Sequence, residues 1–550
     1  MALNVTLPDI GVVDYGSQST TLLQRRLSEE GFRSIILQPE QAEAWLQSGQ
    51  RKSLILSGSF ASVHDKEALL LPQSVLDASI PILGVCYGMQ KLVHVSGGTV
   101  EESLPEDREF NEAVVEFQTT DPLFRGLDKE GIVWMSHSDG VKRLPPGFHS
   151  IAQSKVSRAI TAMVNPTRRL YGVQFHPEAI HTPQGGKILR NFVTLVCGCE
   201  PDWNPGDTAR EIQDEIANDT RNGEHVVMGV SGGVDSSTGA QLAYEVLGKR
   251  LHTFSIDHGA LRAYDSADVH RTMQWIGASF EMVDAAAEFQ RAILGRGWGN
   301  DLPYGHPRTF AGRLKKGLVG FVDGFMGRTD AEEKRRRFKK AYTNVFNRRI
   351  ATVREQQRAP VLAAQASLLP DFIESGRKGK AQLLKSHHNI GLLLDALQIH
   401  PFRELFKFEV KKIAIARGLP DYVIHRQPFP GPALYIRILG RPTLQRLATL
   451  RWADEKVMGI LQAHDLLKEI SQPVIALNCT PTVGIKGDGR VYGASVIGRF
   501  VQSADFMTVS SYPIPEPVRK EMITVVTRHP EIVRFNIDET PKPPGTTELE

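Results

Sequence analysis

The chain has 550 residues, 41% hydrophobic and 23% charged, which is ordinary for a soluble globular protein and too long for one core, so roughly two to four domains are expected. A net charge of +3 is too small at this length to argue for nucleic acid. No apolar run approaches a membrane span and Met1 to Pro8 lacks the basic start and apolar core of a leader, so the expectation is a cytoplasmic protein with neither membrane nor nucleic acid among its partners.

Short apolar runs alternate with helical stretches through the first third: Ile10-Gly-Val-Val-Asp14, Leu54-Ile-Leu56, Ile82-Leu-Gly-Val85 and Leu170-Tyr-Gly-Val-Gln-Phe175. That rhythm predicts an α/β sheet with helices on both faces over residues 1–200. Asn204-Pro205-Gly206-Asp207 reads as a linker. A second α/β unit, residues 201–424, opens on the strand Glu224-His-Val-Val-Met-Gly-Val230 and continues through Thr253-Phe-Ser-Ile256. The turn Phe429-Pro-Gly-Pro432 begins a third segment, residues 425–550, which closes in the extended tail Pro541-Lys-Pro-Pro544.

Four cysteines (Cys86, Cys197, Cys199, Cys479) make no disulfide framework in so long a chain, which suits a compartment where a thiol stays reactive. Cys197 and Cys199 lack a second ligand pair nearby and read as packing rather than metal. Residues 308–340 are densely basic. That stretch is either a solvated helix face or a patch that meets a phosphorylated ligand.

Gly84-Val85-Cys86-Tyr87-Gly88-Met89-Gln90 follows a strand and opens a helix. A strand-elbow-helix turn lifts a nucleophile out of the sheet and sets it at a helix N-terminus, where the dipole favours thiolate. His176, just after the strand at 170–175, can shuttle the proton, and Glu178 can orient its imidazole. This set resembles the class I glutamine amidotransferases over residues 8–195. The resemblance implies that Gln90, Ser136 and His137 help bind glutamine, and that a backbone N–H of the Gly58 turn joins the N–H of Tyr87 in holding the oxyanion. Where that family has Gly-Gly-Pro this chain has Gly58-Ser59-Phe60, so a side chain at Ser59 is expected to alter the turn.

The second motif is Ser231-Gly232-Gly233-Val234-Asp235-Ser236-Ser237, between an apolar strand and a helix expected over residues 238–247. Its glycines let backbone N–H groups converge on phosphate oxygens, and the hydroxyls add donors. No Gly-Lys-Ser/Thr follows, so it is not the Walker pattern. Asp235 is the natural carboxylate for Mg²⁺ on the phosphates. The loop resembles that of the ATP pyrophosphatases, which implies cleavage of ATP between its α- and β-phosphates and a nucleotide contact at Asp257 and Gly259. A glutamine hydrolase and an ATP-consuming centre in one chain read as ammonia production feeding a synthetase.

Further motifs extend the match: Asp330 to Arg336, Leu369-Pro-Asp-Phe-Ile-Glu-Ser375, Lys385-Ser-His-His-Asn389, Arg403-Glu-Leu-Phe-Lys407, Pro428 to Pro432, Ile436-Arg-Ile-Leu-Gly440 and Gly487-Asp-Gly-Arg490. With the tail Lys542 to Glu548, they resemble the glutamine-hydrolysing GMP synthases over almost the whole chain. The resemblance implies two doubly wound α/β domains and a small α+β C-terminal dimerisation domain, hence a homodimer. It implies a site for xanthosine monophosphate (XMP) made of Arg335, Lys385, His387, His388, Gln472, Arg534, Lys542 and Glu548. Asp371 and Glu374 would belong to a lid over ATP and Mg²⁺. Family glycines are replaced by Ala366 and Ala433, the lid tyrosine by Leu369, and tail residues by Thr547 and Leu549. A Gly- and Arg-rich insertion around residues 295–324 is a surface elaboration or a partner contact. Two rivals stay open: a diverged paralogue that aminates a related purine nucleotide, and a non-catalytic regulatory homologue. A tRNA-thiolating enzyme would need a relay cysteine, and residues 200–424 contain none.

Overall fold

Residues 8–17, 19–49, 51–65, 71–102, 110–294, 331–376, 392–503, 509–542 and 544–550 are described in a computed structural model. They fall into two units, Met1–Asp207 and Thr208–Glu550.

A nine-stranded sheet organises the first unit, in the order Ser34–Leu37, Ile10–Val13, Ser53–Leu56, Ile82–Val85, Leu170–Val173, Ile160–Asn165, His149–Ser154, Phe110–Phe117, Glu130–Ser136. The first five run parallel and the rest antiparallel. The central parallel strands are buried at every position. Covered on both faces, they cannot alternate polar with apolar, which is why they show as continuous apolar runs. Helices Thr20–Glu29 and Gly185–Asn191 pack with one apolar cluster, which holds Leu23, Leu27, Ile188 and Leu189, while the helix Tyr87–Val95 supplies Tyr87, Met89 and Leu92 to another.

The expected linker at 204–207 is instead a helix start. The helix Pro205–Asp219 begins there, and Asn204 Oδ1 accepts the N–H groups of Gly206 at 2.8 Å and Asp207 at 3.2 Å. Asn before Pro is a capping signal as well as a turn signal, because proline's missing N–H costs nothing at the first helical position.

The second unit is built on a fully parallel sheet, ordered Phe280–Asp284, Leu251–Asp257, His225–Gly229, Val361–Ala364, Gln398–Ile399. Strand order reverses beside His225–Gly229, so the crevice at the carboxyl ends opens where the glycine loop emerges. The helix after that loop is Val234–Leu247, four residues longer at its start than the sequence suggests. Gly233 is extended at φ −72°, ψ 161° and serves as the cap, so Val234 to Ser237 are the helix's first turn rather than loop.

Downstream, the antiparallel pair Gln472–Lys486 and Gly489–Gln502 carries Ile532–Ile537 in parallel alongside. Helices Leu444–Ala463 and Glu516–Val526 cover this sheet. One apolar cluster runs from Val227 and Phe254 through Val345 and Leu434 to Leu450, Ile475 and Phe535, joining the parallel sheet and the C-terminal layer in one core. The basic stretch that ends at Lys340 lies partly on the helix Ala331–Gln357 and is not simply a solvated face. Arg336 and Arg337 grip Glu333 at 2.7 and 2.6 Å, and Lys334 is 1% exposed, its Nζ donating to the Ile438 carbonyl at 2.6 Å and to Glu550.

Candidate active sites

Cys86 sits at φ 53°, ψ −108°, a backbone conformation that a non-glycine residue holds only under constraint, between the strand Ile82–Val85 and the helix Tyr87–Val95. The constraint is close packing. A Cβ on Gly84 would lie 2.5 Å from the Gly88 carbonyl, and one on Gly88 would collide with the Leu56 carbonyl. His176 follows the strand Leu170–Val173, and its Nδ1 is 2.7 Å from Glu178 Oε1. Cys86 also acts on the ring electrostatically. Burial by itself lowers this imidazole's proton affinity, but the Glu178 carboxylate, and then Cys86, outweigh it and hold the pKa well above 6.5. Glu178 is 2% exposed, and its Oε2 has no hydrogen-bond partner among the described residues. The array can therefore act with the thiol's proton held on the imidazole, so that the sulfur is the nucleophile and the imidazolium beside it the proton donor to a leaving group.

Gly58 lies against the imidazole: a Cβ there would be 3.4 Å from His176 Cε1 and from Ser17 Oγ. Ser57 Oγ accepts the Tyr15 N–H at 3.0 Å and donates to the Gly58 carbonyl at 3.1 Å, which fixes the peptide whose N–H belongs to Ser59. Ser59 has no positive φ, and its Oγ accepts the Ala61 N–H at 3.2 Å, so its side chain braces the turn.

Gln90 is buried, and its Nε2 donates to the Asp139 carbonyl at 2.8 Å and to Gln174 Oε1 at 3.4 Å. His137 Nδ1 meets the same Asp139 carbonyl at 3.0 Å, and the Ser136 carbonyl lies 3.8 Å from Cys86 Sγ. Sequence reasoning missed Gln174, whose Nε2 is 3.8 Å from Cys86 Sγ, and Ser17. Ser17 was within reach of the same argument as Cys86, since Asp14-Tyr15-Gly16-Ser17 also follows a central parallel strand. Thr182 Oγ1 accepts the Trp134 N–H at 3.0 Å and donates to the His176 carbonyl at 2.7 Å, bracing the histidine's backbone.

In the second unit the glycine loop is braced from inside. Ser236 Oγ accepts the Ser231 N–H at 3.1 Å and donates to the Gly233 carbonyl at 3.2 Å. Gly232 has φ +74°, where a side chain is strained. Ser237 is fully buried beneath the helix start. Asp235 Oδ1 has no hydrogen-bond partner among the described residues. Burial pushes this carboxyl above its usual range; Lys407 works against the rise and Asp371 adds to it. Asp371, on the helix Leu369–Gly376 with Glu374, accepts the Leu368 N–H at 2.9 Å through Oδ2. Two neighbouring carboxylates, one with an unspent buried oxygen, are a donor set that suits a hard divalent cation such as Mg²⁺ beside phosphate. Asp257 Oδ1 accepts the Gly259 N–H at 2.9 Å, closing a tight turn with Gly259 at φ +78°.

Gln472 and Glu548 meet: Gln472 Nε2 donates to Glu548 Oε1 at 2.7 Å. Arg437, which sequence reasoning did not single out, clamps both Glu548 oxygens at 2.9 and 3.1 Å and lies 3.8 Å from Asp454. Arg335 donates to the carbonyl of Glu550. Arg534 is exposed on Ile532–Ile537 and donates to the Val483 carbonyl at 3.3 Å, while the Lys542 backbone pairs with Val509. Lys385, His387, His388 and the insertion at 295–324 lie outside the described residues. Of the divergent positions, Ala433 holds φ +55°, the conformation a glycine would favour, and Ala366 finds room because Gly239 faces it.

Residues 11–196 match the glutamine amidotransferase class-I family, residues 208–291 the NAD synthase family, and residues 460–549 the GMP synthase C-terminal domain. The glutamine-hydrolysing GMP synthase of Treponema denticola is 36% identical, over 98% of this chain and 96% of its own. The chain belongs to the glutamine-hydrolysing GMP synthase family. The GMP synthases of Thermosipho africanus, 37% identical over 98% of this chain and 99% of theirs, and of Thermobifida fusca, 35% over 99% and 98%, align equally from end to end. Membership makes the chain a carbon-nitrogen ligase that uses ATP. Among the described residues no helix is long and apolar enough to cross a membrane.

Proposed function

We propose that this chain makes GMP from XMP, with glutamine as nitrogen donor and ATP as the energy source. Cys86 attacks the glutamine carboxamide, the His176 imidazolium protonates the departing ammonia, and water releases glutamate from the thioester. At the second centre the loop at 231–237 holds ATP, and the O2 of XMP attacks the α-phosphate, expelling pyrophosphate. Ammonia then displaces AMP at C2. Asp235, with Asp371, would hold Mg²⁺, which supplies charge neutralisation on the phosphates. Asp257 and Gly259 would flank the nucleotide.

The acceptor would be held by Arg335, Lys385, His387, His388, Gln472, Arg534, Lys542 and Glu548. Asp371 and Glu374 would belong to a lid that shields the adenylate from water. The observation that carries this reading is that the thiol, imidazolium and carboxylate of one unit and the unspent carboxylate of the other occur together in a chain that aligns end to end with GMP synthases. The proposal extends to the division 1–200, 201–424 and 425–550, to a homodimer through the last segment, and to cytoplasmic residence. Cys86→Ala tests it: glutamine-dependent GMP formation should vanish while added ammonium still supports it. Loss of both would contradict two separable sites.

A further inference from the structure

The glycine loop carries no cation of its own, and Asp235 adds negative charge where phosphates would arrive. A distant residue meets the deficit. Arg426 lies on Gly232: a Cβ built on that glycine would collide with Arg426 Nη1 and sit 3.3 Å from its Cζ. The Arg426 side chain is 10% exposed, and its Nη2 is held by Asp265 Oδ1 at 2.5 Å. Asp265 is buried, and the same oxygen also accepts from Arg262, at 3.0 Å from Nη2 and 3.1 Å from Nε. Asp265 thus serves both Arg262 and Arg426, while Arg262 is also faced by Asp454. Arg426 Nε and Nη1 have no hydrogen-bond partner among the described residues. A guanidinium fixed through one nitrogen, with its other donors over a phosphate-type loop, is preorganised for a bidentate anion.

We propose that Arg426 binds the polyphosphate of ATP on this loop, and pyrophosphate after cleavage, with Asp265 as the positioning residue that aims it. This rests on the reading of residues 231–237 as the ATP site. The cation that a Walker loop carries within its own motif is here delivered by the segment before Pro428. Gly232 is required for contact as well as for its positive φ, since any side chain would displace the guanidinium.

The test uses the full chain with ammonium as nitrogen donor. AMP formation gives kcat/KM for ATP and for the acceptor nucleotide, and inorganic pyrophosphate serves as inhibitor. Arg426→Met should lower kcat/KM for ATP by about 10- to 100-fold, the scale of a charged hydrogen bond, and weaken pyrophosphate inhibition to a similar degree. The acceptor KM should stay within about twofold, which a general loss of structure would not allow. Arg426→Lys, a charge without the fork, should fall between, and Asp265→Asn should move ATP and pyrophosphate the same way as Arg426→Met. Wild-type values for ATP and pyrophosphate in Arg426→Met would overturn the proposal. If that variant does not fold, a wild-type ATP kcat/KM in Arg426→Lys would overturn it instead. A wild-type chain that forms no AMP and ignores pyrophosphate would defeat the underlying ATP reading, a different result from a variant that binds both normally.

Discussion

His176 carries its proton because Glu178 and Cys86 outweigh its burial. The sign of a test follows. Glu178→Gln removes the leading contribution that raises this pKa, so the imidazolium is lost at lower pH, and the alkaline limb of glutamine-dependent synthesis should move down. The ammonium-driven profile should not move. Equal shifts in both would mean that the imidazole does not act in glutamine hydrolysis. Asp235 gives a second test at this scale. Its unspent oxygen is a cost in the absence of a cation. Asp235→Asn should leave the metal-free melting temperature unchanged or higher, abolish the rise that Mg²⁺ and ATP produce, and stop AMP formation. Retention of that rise would move the cation elsewhere. Residues with a local motif were legible from sequence: Cys86, His176, Glu178 and Asp235 each follow a recognisable strand end. Arg426, Arg437 and Gln174 were not: Gln174 and Arg437 lie inside stretches that stand out in the sequence and Arg426 just before one, but nothing local says that these side chains reach a site, and tertiary packing alone places them.

The elbow is the element on which the first centre depends. Its two glycines are set by backbone approach rather than by φ, for a Cβ on Gly88 would run into the Leu56 carbonyl of the neighbouring strand. Gly88→Ala should cost about 1–3 kcal/mol, the usual cost of overpacking, and lower glutamine-dependent activity more than ammonium-dependent activity. Thermal unfolding and paired assays would check it; an unchanged melting temperature would show that the strand and helix can part. The parallel strands were legible because burial on both faces leaves continuous apolar runs. The antiparallel half of the first sheet was not, since a strand such as Glu130–Ser136 mixes exposed with buried residues and gives a weak pattern. The helix start at Pro205 was misread because Asn-Pro serves both turns and caps, and the start at Val234 because Gly233 hides the cap inside the phosphate motif.

In the second unit, a chain of buried charges runs from the loop toward the tail. Asp265 links Arg426 to Arg262, the Arg262 and Arg437 guanidinium groups lie 4.1 and 4.9 Å from the Phe429 ring centre, and Arg437 holds Glu548. The residues proposed for ATP and for the acceptor are thereby fixed to one framework. Arg437→Met should raise the acceptor KM more than the ATP KM, because it frees Glu548 while leaving the loop intact. Equal effects on both would make Arg437 a general packing residue. The substitution at Ala366 is accommodated locally by Gly239 and does not by itself call for a different acceptor, whereas Ala433 carries the strain of a left-handed backbone at φ +55°.

Synthesis of GMP from XMP is tested most directly by following products from the purified chain supplied with ATP, Mg²⁺, glutamine and XMP. Chromatography should show GMP, AMP and glutamate appearing in step. Absence of GMP from XMP, with AMP and pyrophosphate released only when another purine nucleotide is supplied, would contradict it.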